Sequence, residues 1–261
     1  MSALYPSSIN AISTYLFEMV GVLARIPESS IEETIDLLYR AWSERRRIFI
    51  MGNGGSASTA SHLANDLAKG AIVSGKPRVK AIALTDNISL ISAWANDTSY
   101  ENIFKEQLEN LLEKGDLVLG ISASGNSPNI LQGLEFARRQ EAVTIGWSGL
   151  TGGKLKDIVD LAVLAPTDDV GMIESCHMVL DHLVAAELRR RIENGTDQPS
   201  ERRASLQKTA FLKRDRGPEQ RILRTQVPHA REPLVELDEV PVRGNGGRKN
   251  KRGEASESGS E

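Results

Sequence analysis

Five short apolar runs, separated by segments with helical spacing, constrain the fold of this chain more than any other feature. The runs are RIFIMG, VKAIAL, DLVLGIS, AVTIGW and DLAVLA, which begin at residues 47, 79, 116, 142 and 160. Runs that are apolar throughout are typical of strands buried on both faces. Strands that alternate with helices favour parallel pairing. The sequence therefore predicts an α/β fold with a doubly wound parallel sheet.

Helical segments flank these runs on both sides. Two of them precede the first run, INAISTYLFEMVGVLARI and SSIEETIDLLYRAWSERRR. One follows the last run, GMIESCHMVLDHLVAAELRRRI. In the second segment Ser30 and Glu33 have the spacing of a capping box, which places the helix start at Ser30. Together the helices and the apolar runs predict one folded domain over residues 1–194, beginning with N-terminal helices.

The composition of the chain changes after Asn194. Residues 195–261 contain one aromatic residue, Phe211, and five of the ten prolines, and their charges are dense. Such a segment buries too little apolar surface to offset the entropy lost on ordering it. We therefore predict a disordered C-terminal tail. Its basic cluster, residues 248–252, fits either a solvated tail or a contact with nucleic acid or an acidic partner, and composition favours the first.

Charge and cysteine content exclude several classes of protein. The net charge is −3 over 261 residues, which gives no indication of a nucleic-acid-binding core domain. Cys176 is the one cysteine, so an internal disulfide is excluded and a reducing cytoplasm fits. No Lys or Arg precedes Arg25, and no apolar run of about 18 residues occurs. We expect a cytoplasmic protein without a membrane segment.

Two loops rich in Gly and Ser follow the first and third apolar runs. GNGGSA and SASGNSP each come before a helical segment, and Pro128 suits the first position of the second helix. At the start of a helix, free N–H groups and a positive partial charge favour phosphate. Neither loop ends in Gly-Lys-Ser/Thr, and neither is a dinucleotide fingerprint. The pair therefore predicts a sugar-phosphate site, although Gly-rich turns also occur for packing alone.

Histidine and acidic residues form a second pattern. His62 and Asp66 are four residues apart on the helix that follows the first loop, so they share one face. This spacing fits a metal site or an acid/base pair, and also a simple local ion pair. The closing helix adds two histidines and two acids, and such residues suit a divalent metal such as zinc. These four are Glu174, His177, Asp181 and His182.

Spacing on the closing helix leaves two pairs open. Glu174 and His182 are eight residues apart, which is roughly 12 Å along the axis and roughly 80° around it. Both side chains reach one metal only if they lean towards each other. From spacing alone, His177 with Asp181 is an equally good pair.

Several motifs, in order, resemble the sugar isomerase (SIS) domain of phosphoheptose isomerases. They are GNGGSASTASHLANDL, AWANDTSYENIF, GISASGNSPNIL, TGGKL and IESCHMVLDHL, and the resemblance covers about residues 8–192. It implies a three-layer, flavodoxin-like fold with a five-stranded sheet, and a homotetramer with active sites between subunits. It also implies isomerisation of sedoheptulose 7-phosphate to D-glycero-D-manno-heptose 7-phosphate through an enediol, in bacterial heptose synthesis.

The resemblance also implies roles for individual residues. Its zinc positions fall on His62, Asp66, Glu174 and His182. Asp66 becomes the candidate base and His182 its acid/base partner. Glu174 also falls among the substrate contacts, and the other substrate-binding positions are Asn53, Gly54, Gly55, Asn96, Asp97, Ser122, Ala123, Ser124 and Ser127. Asn96 is equally well explained as a turn residue and Asp97 as a helix cap.

Three positions depart from the family pattern. Asp66 stands where Glu is typical, Glu174 where Gln is usual, and Ala123 where Thr is usual. The shorter Asp66 retracts a base by more than an ångström, and errors of that size cost about 10²-fold in rate. Superfamily members that bind the replication initiator have lost metal-site residues, which this chain retains. The retained metal-site residues favour an enzyme. The alternative is a non-catalytic SIS module that binds a sugar phosphate or a partner protein.

Overall fold

A five-stranded parallel sheet forms the centre of the protein. The computed structural model describes residues 8–195, and the predicted tail lies outside them except for Gly195. The sheet has the order β2-β1-β3-β4-β5, and every neighbouring pair is parallel. Its strands are β1 Arg47–Gly52, β2 Lys80–Ala83, β3 Leu117–Ile121, β4 Val143–Ser148 and β5 Leu161–Leu164. The predicted doubly wound parallel sheet is confirmed.

Helices cover both faces of this sheet. In chain order they are α1 Ser8–Ala24, α2 Glu28–Ser43, α3 Gly55–Asn65, α4 Ile88–Asp97, α5 Ile103–Leu111, α6 Pro128–Arg139, α7 Leu155–Ile158 and α8 Val170–Asn194. A π-helical turn, Asp66–Gly70, continues α3, and a 3-10 turn, Tyr100–Asn102, precedes α5. None of the described helices combines the length and apolar character that a membrane span requires.

The predicted start of the second helix is wrong. α2 begins at Glu28 with Pro27 as its N-cap, and no side chain caps it. Ser30 lies inside the first turn, where its hydroxyl donates to the carbonyl oxygen of Pro27 (2.8 Å). A proline before the helix fixes φ near its helical value and lacks only an N–H that the helix does not need. The capping-box spacing is therefore present without its function.

Two separate cores hold the three layers together. Successive side chains of a strand point to opposite faces, so Ile48 and Ile50 of β1 enter one core while Phe49 and Met51 enter the other. The first core includes residues of α1, α2, α3 and α8, and the second includes residues of α4, α5, α6 and α7. Each fully buried side chain of this size stabilises the fold by about 1.5–3 kcal/mol.

The strand order determines where a ligand binds. In a sheet of order 2-1-3-4-5 the winding reverses between β1 and β3, and the crevice beyond their carboxyl ends is the usual ligand site. Gly52 at the end of β1 lies in register with Ile121 at the end of β3. The first predicted loop begins at Gly52 and the second immediately after Ile121, so the two loops are neighbours at this crevice.

Candidate functional site

The first loop turns the chain sharply from β1 into α3. Gly54 is the N-cap of α3, with φ 54° and ψ −124°, a conformation open to glycine and strained for other residues. The N–H groups of Ala57 and Ser58 already bond back to the carbonyl oxygen of Gly54. The helix N–H groups before Ala57 have no intrahelical acceptor. They are therefore suited to an anionic ligand at the crevice.

The second loop presents three serines between β3 and α6. Ser122 is buried, and its hydroxyl lies 3.0 Å from that of Ser127. Ser124 is exposed, and its hydroxyl accepts from the backbone N–H of Asn126 (3.2 Å). Ala123 turns its carbonyl oxygen towards β4, where it accepts from the N–H of Gly149 (2.9 Å). The loop is therefore anchored through its backbone while its hydroxyls remain near the crevice.

The TGGKL turn holds the second loop from outside. The N–H of Leu155 donates to the carbonyl oxygen of Gly125 (3.0 Å), and that of Lys154 donates to the Asn126 side chain (3.1 Å). Gly125 has φ 66°, and a Cβ there would overlap with the backbone of Gly152. A side chain at residue 125 would therefore push the two segments apart.

A pair of asparagines joins the two loops. The amide of Asn53 donates to Asn129 (2.9 Å), and the amide of Asn129 donates back to Asn53 (2.8 Å). The hydroxyl of Tyr100 also donates to Asn53 (3.1 Å). Sequence reasoning missed Asn129 and Tyr100, although both lie inside the quoted motifs. The polar amide directly after Pro128, at the start of a helix that opens on the crevice, was the available signal.

His62, Asp66 and His182 come together where α8 packs against α3 and its extension. One ligand atom from each lies within 4.8 Å of the others. The rings of His62 and His182 are 4.9 Å apart at 83°. His62 and Asp66 share a face of α3 and its extension, and His182 approaches from α8, which packs against α3. Two imidazoles and a carboxylate in this arrangement fit a divalent metal, zinc included.

A π-helical turn begins at Asp66. The N–H of Ala71 donates to the carbonyl oxygen of Asp66 (2.8 Å), five residues back rather than four. Such turns are rare and occur frequently at functional sites. The irregular turn therefore begins at the residue where the shorter acid stands.

Glu174 lies against the first loop. It lies outside the group of His62, Asp66 and His182. Its carboxylate packs directly on Gly55, where any added Cβ would overlap with it. Glu174 is therefore next to the first loop, within the predicted substrate contacts, while its metal ligation stays a prediction.

His177 and Asp181 do not form the alternative pair. Asp181 is fully buried, and its Oδ2 lies 2.8 Å from Nδ1 of His62. His177 is 1% exposed, beside the Trp147 ring, with Nε2 3.4 Å from the Ser148 carbonyl oxygen. Burial lowers the pKa of His177 to about 4. Burial raises the pKa of the Asp181 carboxyl to about 6, and the hydrogen bond from His62 opposes that rise.

The buried His177 predicts a specific loss of stability in acid. Its folded pKa is about 4, below its ordinary value of 6.5, so only the unfolded chain takes up this proton between those values. The free energy of unfolding should fall by about 3 kcal/mol across this window from His177 alone. His177→Gln should flatten the pH dependence of urea unfolding by that amount relative to wild type. Parallel curves for the two proteins would contradict the assignment.

Asn96 and Asp97 lie at the end of α4, both exposed. The amide of Asn96 donates to the Asp97 carboxylate (2.8 Å). Among the described residues, no hydrogen bond joins either side chain to the two loops. Asp97 is the last residue of α4 and so is not its N-cap. Their roles in substrate binding stay predictions.

Comparisons with known proteins identify relatives over most of the described part of the chain. A model of the SIS domain family matches residues 14–149. A phosphoheptose isomerase of Helicobacter pylori is 37% identical over 163 residues, 62% of this chain and 84% of that one. One of Akkermansia muciniphila is 38% identical over 149 residues, 57% and 78% of the two chains. A solved phosphoheptose isomerase structure from Francisella tularensis superposes with TM-score 0.66 at 26% identity, covering 71% of this chain and 100% of that one.

Proposed function

The chain belongs to the SIS domain family, among the phosphoheptose isomerases, and from this premise we propose that it converts sedoheptulose 7-phosphate into D-glycero-D-manno-heptose 7-phosphate. The product would serve bacterial heptose and nucleotide-heptose synthesis. One observation carries the proposal: ligand atoms of His62, Asp66 and His182 lie within 4.8 Å of one another, and two of these residues belong to the helix that leads out of the first Gly/Ser loop and its extension. A sugar phosphate needs both an anion cradle and an acid/base centre, and α3 begins at the first and carries residues of the second towards its end.

The second loop holds the phosphate in this proposal. Ser122, Ser124 and Ser127 supply hydroxyl donors, and the amides around Gly125 supply N–H groups. Asn53, Asn96 and Asp97 hold the sugar hydroxyls, with the backbone of Gly54, Gly55 and Ala123 beside them. The Asn129 amide supports the orientation of Asn53 from behind. The far end of the sugar is then fixed while its carbonyl end reaches the acid/base group.

The chemistry is a proton transfer between adjacent carbons. Asp66 removes a proton from the hydroxymethyl carbon next to the ketone, which gives the enediol, and returns it to the former carbonyl carbon. His182 moves a proton between the two oxygens, so that the ketone becomes a hydroxyl and the hydroxymethyl group becomes an aldehyde. No atom is gained or lost in the reaction. Asp66 and His182 belong to the same close group, as this exchange requires.

We further propose one zinc ion per subunit, held by His62, Asp66, Glu174 and His182. The support is chemical: two imidazole nitrogens and a carboxylate oxygen already lie within 4.8 Å of one another. A bound zinc ion supplies Lewis-acid polarisation of the substrate carbonyl. The non-catalytic SIS module is not favoured, since the chain retains this group and its named relatives are isomerases.

A homotetramer is the proposed assembly. The support is an exposed apolar face on α1, where Ile12, Leu16, Phe17 and Val20 are 59–79% exposed. Apolar surface of this extent marks an interaction site in soluble proteins. Light scattering of the purified protein tests the tetramer, and a monomer mass would overturn it.

We also propose a cytoplasmic location. The single cysteine, which is buried and free, supports this location. Fractionation of cells tests it.

The decisive experiment is an NMR or coupled assay with sedoheptulose 7-phosphate. Formation of the aldoheptose 7-phosphate supports the proposal. If no heptose 7-phosphate is turned over, the non-catalytic SIS module becomes the better explanation.

The same assay tests the proposed division of the chain. We propose an isomerase domain, 1–194, and a tail, 195–261, that the reaction does not need. A chain ending at Asn194 should isomerise at the full-length rate, and an inactive folded fragment would refute that division.

Ser124→Ala and Ser127→Ala should weaken substrate binding and leave the fold intact. A hydrogen bond to a charged group contributes about 1.5–3 kcal/mol, so KM should rise about 10- to 100-fold in each. Ser43→Ala is the matched control, because Ser43 is an exposed serine at the end of α2 whose hydroxyl donates to the Arg40 carbonyl oxygen of its own helix. An unchanged KM in both loop variants would mean that the phosphate binds elsewhere.

A further inference from the structure

Asp181 is a buried carboxylate with one hydrogen-bonding partner among the described side chains. It precedes His182 on α8 and is 0% exposed. Its Oδ2 lies 2.8 Å from Nδ1 of His62, and its Oδ1 has no hydrogen-bond partner in the described part of the chain. Asp181 is not a member of the group formed by His62, Asp66 and His182. Its side chain makes its hydrogen bond to that group through His62.

Two carboxylates lie near the same nitrogen of His62. Asp181 Oδ2 is 2.8 Å from Nδ1 and makes a hydrogen bond, whereas Asp66 Oδ2 is 3.8 Å away and does not. A carboxylate oxygen accepts, so the proton of His62 lies on Nδ1. Nε2 then carries the free lone pair. Asp181 thus determines the tautomer of His62 and leaves Asp66 without a hydrogen bond to this ring.

Packing alone does not explain a carboxylate at residue 181. An acid buried with one oxygen unpaired is costly, and an apolar side chain of similar size usually stabilises such a position. The neighbours of Asp181 on the inner face of α8, Leu180 and Val184, are apolar and buried. The benefit that offsets this cost must come from the contact with His62.

We infer that Asp181 is a positioning residue for the metal site: it holds the Nδ1–H of His62 and presents Nε2 of that ring to the cation. The inference rests on the proposed metal-dependent isomerase and adds a residue to it. Imidazole ligands of metals commonly donate their second N–H to a carboxylate, and loss of that partner typically weakens metal affinity 10- to 100-fold.

The test is zinc affinity, measured on the full chain by competition with a chromophoric chelator. Asp181→Leu and Asp181→Asn should each bind zinc about 10- to 100-fold more weakly than wild type. Asp181→Leu should also unfold at the same or a higher urea concentration, since it removes a buried polar group. Asp116→Asn is the control: Asp116 is equally buried but bonds to Arg47 and Glu113, so it should lose stability and keep zinc affinity.

Two outcomes would overturn the inference, and they differ in whether the proposed metal site also fails. If wild type binds zinc and both Asp181 variants bind within twofold of it, Asp181 is structural and the isomerase proposal is unaffected. If wild type itself binds no zinc, the metal part of the proposed function fails, and the role of Asp181 fails with it. Weaker binding in Asp181→Leu with unchanged or higher stability supports the inference, because a merely structural residue gives no such combination.

Discussion

We expect Asp66→Asn to lower kcat by about 10²- to 10⁴-fold, the range that a positioned general base contributes. The amide is nearly the same size as the carboxylate but cannot accept the proton from carbon. Asp66 is half-buried, and its Oδ1 accepts from the side chain of Asn65 (3.2 Å), a contact that an amide oxygen can keep. The fold and the phosphate contacts, which lie on the other loop, should therefore survive. Steady-state kinetics with sedoheptulose 7-phosphate measure the change.

Asp66→Glu is the complementary variant. The resemblance to phosphoheptose isomerases implies Glu at this position, so the longer side chain should keep or raise the activity. Turnover of Asp66→Asn at the wild-type rate would reduce Asp66 to a structural or metal-adjacent role. The base would then be sought at Glu174 or His182.

The parallel sheet could be predicted from the sequence because its signal is local. Each strand is an unbroken apolar run, and the alternation with helices determines the pairing direction. The positions of the two loops followed from the same rule, since both end strands that meet at the winding reversal. His62 and Asp66 were also predictable, because four residues on one helix share a face.

Contacts across long stretches of chain could not be predicted in this way. The hydrogen bond between His62 and Asp181 spans 119 residues, and that between Asn53 and Asn129 spans 76. The spacing of residues on α8 left His177 with Asp181 as a candidate pair, because spacing does not tell which face of α8 packs against α3. Burial separates them: His177 turns towards Trp147, and Asp181 turns towards His62.

Local patterns can also be present without their function. Ser30 and Glu33 have capping-box spacing, yet Pro27 begins the helix one turn earlier. The preceding proline, which favours a helix start, competes with the serine, and the sequence pattern does not say which prevails. For Glu174 the resemblance, and not the spacing, suggested metal ligation, and its carboxylate packs on Gly55.

His62→Ala should remove the bound metal and, with it, most of the activity. His62 is one of the three residues whose ligand atoms lie within 4.8 Å of one another. Loss of a direct ligand should weaken zinc binding by more than the 10- to 100-fold that outer partners contribute. Metal analysis after dialysis, followed by the isomerase assay, measures both effects. His177→Gln is the matched control, since His177 is buried outside the group and should leave the metal content unchanged.

Stability separates the ligand role of His62 from its second role as the partner of Asp181. His62→Ala leaves the Asp181 carboxyl buried without its hydrogen bond, which should cost about 1–3 kcal/mol of unfolding free energy. His182 is exposed, and no hydrogen bond joins it to a buried side chain among residues 8–195, so His182→Ala should lose the metal at little cost to the stability of the metal-free protein. Urea unfolding in excess chelator compares the two variants without any contribution from the metal. Full isomerase activity in wild-type protein that is free of metal would remove the metal hypothesis. Equal stability of the two variants would show that the His62–Asp181 hydrogen bond contributes nothing to the stability of the fold.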